Sequence, residues 1–280
     1  MVNPIRIAVL VAVHNRWEMT GKLLSALKAV PTAIQLCLHI VDDGSSDTTA
    51  TELARLANIT YLRRNGSLFW ASSMKLAQDS VTDPVDYFLW LNNDVDLAPD
   101  FFSRILEAIA KFPSRILVGQ TSDPGRHQIT YGGMRRVGFH PHRLQIVNAQ
   151  EKYEVADTFC GNIVLVPYAI NSSLGGIDGY FEHGYADYDF GYRAKKMGYQ
   201  IRIIPGFLGI CAKNEFDLST KNLFETLKLV GSRKYLPIRS QIRFSKRHGG
   251  IVWPIYVAYP YLRLILNIKR FRANQRNAGF

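Results

Sequence analysis

"IRIAVLVAV" (residues 5–13), followed almost at once by "WEMTGKLLSALKAV" (17–30), is the stretch that decides the fold. The first piece is an unbroken apolar run of strand length, and in the second Met19, Leu23, Leu24 and Leu27 fall on one face of a helical period. A strand apolar on both sides is one that helices will cover on both sides. The same pair recurs three times: "IQLCLHIV" (34–41) with "SDTTATELARLA" (46–57), "ITYLR" (59–63) with "FWASSMKLAQDS" (69–80), and "DYFLWL" (86–91) with "PDFFSRILEAIAKF" (99–112). Four strand–helix units in about 110 residues predict an α/β fold, a mostly parallel sheet flanked by helices and linked by right-handed crossovers.

Each of the four strands ends in polar residues: "VHN" (13–15), "VDDGSSD" (41–47), "RRNGS" (63–67) and "NNDVD" (92–96). In open α/β sheets ligands sit outside the carboxyl ends of the strands, so these clusters are expected to share one ligand-binding edge. The first strand is not followed by GxGxxG, and no GxxxxGK[ST] occurs, which argues against a dinucleotide dehydrogenase and a P-loop enzyme. An acidic pair can accept hydrogen bonds from a base or ribose. A second acidic cluster can hold a hard divalent cation, Mg²⁺ or Mn²⁺, that bridges phosphates. Asp42 and Asp43 suit the first role and Asp94 and Asp96 the second, with capping of the following helix as the other use for Asp96.

The chain has 280 residues, 47% hydrophobic and 20% charged, enough apolar material for a large core and too much for a disordered protein. Cys37, Cys160 and Cys211 are odd in number and widely spaced, which supports neither a disulfide framework nor a zinc site. The N-terminus reads as a buried strand rather than a signal peptide, so a cytoplasmic location is expected. The net charge of +11 is unevenly placed: residues 1–212 balance 20 Lys and Arg against 20 Asp and Glu, while residues 213–280 hold 14 against 3. This divides the chain into a neutral catalytic body, 1–212, and a basic, helical C-terminal region, 213–280.

A basic appendage meets something anionic. "IVWPIYVAYPYLRLILNIKRFR" (251–272) joins apolar and aromatic residues to a basic end, which favours an anionic membrane surface over nucleic acid. Pro254, Pro260 and Arg263 interrupt it, and a spanning helix needs ~20 mostly apolar residues, so a peripheral anchor on the inner face of the membrane is expected, with Trp253, Tyr256, Tyr259 and Tyr261 at headgroup level. A helix simply packed on the body is the other reading.

Taken in order, "VAVHNR", "VDDGSSD", "LNNDVDLAPD" and "GGIDGYFEHGYADYDFGYRAKKMGY" resemble the family 2 glycosyltransferases of the GT-A fold over roughly residues 5–210. The resemblance implies an inverting, metal-dependent transfer from a nucleoside-diphosphate sugar. "NND" stands where that family has its DxD-type motif, so Asp94 matches the metal-binding carboxylate and Asn92 and Asn93 replace the other. By the same match Asp43 contacts the base; Val13, His14 and Asn15 line the nucleotide pocket; Gly66 permits close approach of the donor; and Trp70 walls the sugar pocket or is plain core. Gly176, in "GGID", lets the backbone close over the diphosphate or simply makes a tight turn.

Inversion needs a general base on the side of the sugar opposite the departing diphosphate. In "ADYDFGYRAKKMGY" Asp187 matches the family's base. Ala186 departs from the usual Glu beside it, and Asp189 with Arg193 reads as an i,i+4 structural pair. Phe190, Ala194 and Met197 lie at helical spacing toward a core. Relatives add a downstream metal-binding His, and "GFLGICAKNEF" (206–216) has none, which leaves Lys213 or His183 as substitutes. The "NGSLFWA" and "LNNDV" segments resemble rhamnosyltransferase-like bacterial cell-surface polysaccharide enzymes, which implies a UDP- or dTDP-linked hexose donor and a glycan or lipid-linked acceptor. A sugar-nucleotide nucleotidyltransferase is the alternative, though its basic Gly-rich triphosphate loop is missing from "VAVHNRWEM"; a catalytically silent relative and a nucleic-acid binder follow.

Overall fold

The computed structural model describes residues 3–125, 128–181, 184–213 and 237–262. The chain forms two compact units, Met1–Arg135 with Gln145–Asn214, and Arg136–Leu144 with Glu215–Phe280. The first unit opens with the expected alternation: β1 (Ile5–Val13), α1 (Trp17–Leu27), β2 (Ile34–Asp43), α2 (Thr49–Ala54), β3 (Ile59–Arg64), α3 (Phe69–Asp79), β4 (Tyr87–Asn92), a short β5 (Asp96–Leu97) and α4 (Phe101–Lys111). β1 lies parallel to both β2 and β4, and β2 parallel to β3. Chain order therefore reverses between β1 and β4, which opens a crevice at the carboxyl edge between them. Register makes that edge level, since Val13 pairs with Asp42, Ala12 with Asn92 and Asp43 with Arg64.

The later strands are β6 (Ile116–Ser122), β7 (Ile129–Tyr131), β8 (Gly133–Arg136), β9 (Leu144–Ile146), β10 (Glu154–Ala156), β11 (Thr158–Phe159), β12 (Ile163–Pro167) and β13 (Ile201–Ile210), with α5 (Tyr168–Leu174) and α6 (Ala186–Lys196) before the last. The main sheet runs β10-β13-β6-β12-β4-β1-β2-β3, and β12 enters it antiparallel between β4 and β6. Residues 158–167 form two strands, β11 and β12, separated by Cys160–Gly161–Asn162. β5 pairs with the end of β13, joining Ile210 to Asp96, so the turn after β4 rests against the residues that follow β13.

Alternation along β4 explains how the site is held. Leu89 and Leu91 enter the core formed with α1 and α4. Trp90, fully buried, turns to the other face, where its ring meets Phe159 at 5.8 Å and Phe190 of α6 at 5.0 Å. Burying a side chain such as Phe190 is worth roughly 1.5–3 kcal/mol, so this aromatic cluster fixes α6 to the sheet end. Two expected core positions differ. Met19 is exposed and Thr20 is buried in its place, while Met197 is exposed because it is the C-cap residue of α6, past the face on which Phe190 and Ala194 are buried.

In the second unit the described residues include α7 (Ile238–His248), a 3-10 turn (Gly250–Val252) and helix through 253–262. Pro254 sits in the first turn of that helix, where no N–H is needed, and the helix continues through Pro260, so the break expected there is absent. The loop 137–143 belongs to the same unit: the His142 ring lies 5.0 Å from Phe244 and hydrogen-bonds Ser245 at 2.7 Å, and His140 lies 4.3 Å from Tyr256. Burial pushes the His142 pKa down to about 4. Residues 214–236 and 263–280, with much of the expected basic tail, lie outside the described residues, as does His183.

Candidate active site

Three loops meet at the carboxyl ends of β1, β2 and β3. Asn15 and Arg16 both take left-handed backbone conformations, φ 58° and 64°. Such strain in consecutive non-glycine residues persists only where surroundings enforce it. Here the Asn15 N–H donates to Ser45 Oγ at 2.7 Å, and Asn15 Oδ1 accepts from the Ser46 N–H at 2.8 Å and the Asp47 N–H at 3.3 Å. The exposed His14 places Nδ1 2.7 Å from the Asp43 carbonyl. Val13 contributes no side chain to the edge, since it belongs to the apolar core.

The two aspartates after β2 are both deeply engaged. Asp42, fully buried, accepts from the Ser45 N–H at 2.8 Å and the Tyr61 hydroxyl at 3.0 Å, with Arg63 at 4.0 Å. Asp43 accepts three backbone N–H groups, from Gly66 at 3.0 Å, Leu68 at 2.9 Å and Phe69 at 2.8 Å, and so shapes the turn that starts α3. Gly44 and Gly66 touch through their backbones: a Cβ on Gly44, where φ is +76°, would lie 2.5 Å from the Gly66 nitrogen. Asp42 is therefore a buried structural carboxylate, while Asp43 keeps limited acceptor capacity toward a base.

The "NND" turn divides its labour. Asn92 Oδ1 accepts the Trp70 indole N–H at 2.8 Å, and Asn93 donates to Thr20 Oγ1 of α1 at 3.0 Å, so Asn93 ties the turn to α1. Asp94 is held loosely, with Arg16 Nη1 at 3.5 Å and the Cys211 thiol at 3.6 Å. Asp96 is exposed in β5, pairs with Lys22 at 3.3 Å, and does not cap α4, whose N-cap residue is Asp100. Asn162 donates to the Cys211 sulfur at 3.7 Å, and burial beside Asp94 pushes the Cys211 thiol up to about 12.

These residues fit a divalent cation of the hard kind. The Asp94 and Asp96 carboxylates are held by side chains alone, Asp96 by Lys22, and among the described residues no three His, Cys, Asp or Glu gather. Mg²⁺ and Mn²⁺ bound through one or two carboxylates and completed by substrate phosphates match that sparse set.

Asp187 stands at the start of α6, after Tyr185 turns the chain with φ +70°. Its Oδ2 accepts the Gly161 N–H at 3.0 Å and its Oδ1 the Tyr188 N–H at 2.9 Å. Desolvation outweighs these bonds and raises its pKa to about 6, a range suited to a general base. Burial likewise holds the nearby Cys160 thiol up to about 12. Trp70 spans the two ends: its indole bonds Asn92, and its ring leaves no room beside Gly161, where a Cβ would lie 2.7 Å from it. Arg193 forms the i,i+4 pair with Asp189 at 2.7 Å and also donates to the Leu174 and Gly176 carbonyls. Gly176, whose N–H bonds the Asn171 carbonyl, thus acts as the turn that ends α5, with no backbone group left over for a diphosphate.

Arg16 and Cys211 border Asp94, Cys160 and Tyr188 border Asp187, and Asn162 bonds Cys211; sequence pattern marks none of them as a site residue, and only the position of Arg16 beside "VHN" carries a signal. A cavity of about 530 Å³ lined by Arg104, Lys111, Phe112, Tyr153 and Arg202 shares no residue with this edge.

Comparison with known proteins agrees with this architecture. Among curated proteins no sequence matches the chain. Of solved structures, GalNAc-T7 with UDP, GalNAc and Mn²⁺ is similar at 12% identity and TM-score 0.60 over 92% of this chain. The chain spans about half of that protein, 54%. S. aureus TarS residues 1–349 gives 11% identity and TM-score 0.58, covering 99% of this chain and 93% of that one. The mannosyltransferase PcManGT from Pyrobaculum calidifontis, with GDP-Man and Mn²⁺, gives 16% and 0.55, covering 99% and 76%. At these identities the likeness establishes the shared GT-A fold. The family model described as "Glycosyl transferase family 2" matches residues 8–172, more than half the sequence and every strand-end loop from His14 to Asp94, and so the chain belongs to glycosyl transferase family 2.

Proposed function

We infer that this protein is a metal-dependent, inverting glycosyltransferase that moves a hexose from a UDP- or dTDP-linked donor to a hydroxyl of a glycan or lipid-linked acceptor. The observation that carries the reading is the pair of unlike carboxylates joined through Trp70. One, Asp94, is loosely held and suited to a cation; the other, Asp187, is fixed by two backbone N–H groups with its pKa raised to about 6. The UDP and GDP-Man of the similar structures support a nucleotide-sugar donor. The cytoplasmic face of a membrane is the expected place of work.

In the mechanism that follows, the loops of β1, β2 and β3 receive the nucleoside, with the remaining acceptor capacity of Asp43 directed to the base and His14 and Asn15 at its rim. Asp94 would hold Mg²⁺ or Mn²⁺, which when bound supplies Lewis-acid stabilisation of the diphosphate leaving group. Arg16, beside Asp94, adds a positive charge near the same phosphates. Trp70 walls the sugar and sets the spacing between the two ends. Asp187 accepts the proton of the attacking acceptor hydroxyl as the new glycosidic bond forms and the anomeric bond to the diphosphate breaks.

The test is calorimetric titration of UDP, dTDP and GDP and their sugars with and without Mn²⁺, paired with a transfer assay. Asp94→Ala is expected to lose metal-dependent nucleotide binding, and Asp187→Asn to keep that binding while losing transfer. Binding of no nucleotide by the intact protein would reject the assignment.

A further inference from the structure

The described part of the second unit has an inverted surface. Along residues 251–262, the 3-10 turn and the helix after it, the exposed positions include Ile251, Ile255, Ala258 and Leu262, spaced three or four apart, and no charged residue occurs in the segment. Ile251 is 95% exposed, Ile255 63% and Leu262 56%. A helix usually turns such a stripe inward. Here the inward-facing residues are Tyr256, against His140, and Trp253, under Lys246 at 5.0 Å.

Just before it, α7 carries Arg239, Arg243, Lys246 and Arg247, and residues 237–262 contain no Asp or Glu. Gly249 and Gly250, the latter at φ +61°, form the corner between the basic helix and the apolar one.

We propose that this corner is a docking surface for an anionic lipid bilayer, with the 251–262 face in the acyl boundary and the α7 cations at the phosphate level. Charge complementarity selects the occupant. A second copy of the chain would bring together two regions of net charge +11 each, and nucleic acid would leave the apolar stripe uncovered. Among the described residues no helix is long and apolar enough to cross a membrane. In the proposed docking the 251–262 face lies along the interface, as amphipathic surface helices do. Each Lys or Arg near an anionic surface strengthens binding about fivefold.

The experiment is co-sedimentation of the full chain with phosphatidylcholine vesicles and with equimolar phosphatidylcholine–phosphatidylglycerol vesicles, at low and high salt. The wild type should bind the anionic vesicles, bind neutral ones far more weakly, and release as salt rises. Arg239→Glu with Lys246→Glu should weaken binding by roughly 25-fold or more. Ile251→Glu with Ile255→Glu should weaken it at least tenfold, with an unchanged melting temperature and unchanged nucleotide binding, since both side chains are exposed. No sedimentation with anionic vesicles, or equal binding by the Ile→Glu variant, would overturn the proposal. So would a stable dimer in sedimentation velocity that the same variant dissociates.

Discussion

The raised pKa of Asp187 makes a sharp kinetic prediction. A base must be ionised to work, and its pKa of about 6 predicts that only about a tenth of the carboxylates are ionised at pH 5, against well over nine-tenths for an ordinary aspartate. Under saturating donor and cation, kcat measured from pH 4.5 to 8 should rise about tenfold between pH 5 and pH 7.5. Linkage supplies a second readout independent of turnover. In the folded state Asp187 stays protonated up to about pH 6, whereas unfolded it ionises near 3.8, so its contribution to stability falls as pH rises through that window. The gap in unfolding free energy, wild type minus Asp187→Asn, should therefore shrink from pH 4 to pH 6.5, by at most roughly 3 kcal/mol. The constant loss of one hydrogen bond in the variant cancels from that slope. A kcat profile flat down to pH 5, together with a stability difference that does not move, would refute the reasoning.

Three further outcomes follow from the geometry. Asp94→Asn should remove Mn²⁺-dependent donor binding while leaving the melting temperature within about a degree or two, because its contacts are a long ion pair and a thiol; differential scanning fluorimetry with and without Mn²⁺ reads both. Gly161→Ala would drive a methyl to 2.7 Å from the Trp70 ring, and overpacking of this kind costs about 1–3 kcal/mol; displacement of the ring beside Asp187 should also lower kcat at least tenfold in a steady-state assay. Asp43→Asn leaves three backbone N–H groups facing one acceptor oxygen fewer, a loss of about 1–3 kcal/mol measurable by urea denaturation and larger than that of Asp94→Asn.

The alternation of β1 through α4 was legible because a buried parallel strand and an amphipathic helix leave different periods in sequence, and the boundaries fall within a few residues of those expected. Which strand-end residues face a ligand was less legible. Asp42 and Asp43 look equivalent in "VDDG", yet strand alternation buries the first against Tyr61 and gives the second to the 66–69 turn. Asp96 reads as a partner of Asp94, but β5 sets it beside Lys22. Cys211 reaches Asp94, and Asn162 reaches Cys211, only through pairing of β5 with β13 and of β12 with β4, contacts between residues 117 and 49 positions apart that no local pattern encodes. The antiparallel entry of β12 is invisible for the same reason: "IVLVP" is equally apolar in either direction.

The interlocking of the loops after β1, β2 and β3 bears on how this family member could change. Asn15 is held by Ser45 through Asp47, Asp43 by Gly66 through Phe69, and Gly44 by the bare backbone of Gly66. A substitution in any one loop shifts the other two, so adaptive walks through this edge face epistasis at nearly every step. The turn bearing Asp94 is tied down instead by Asn92 to Trp70 and by Asn93 to α1, outside this three-loop lock, and only the Asp94 carboxylate itself is left with long contacts. A library aimed at altered specificity would accordingly do better to vary the three interlocked loops together than one at a time.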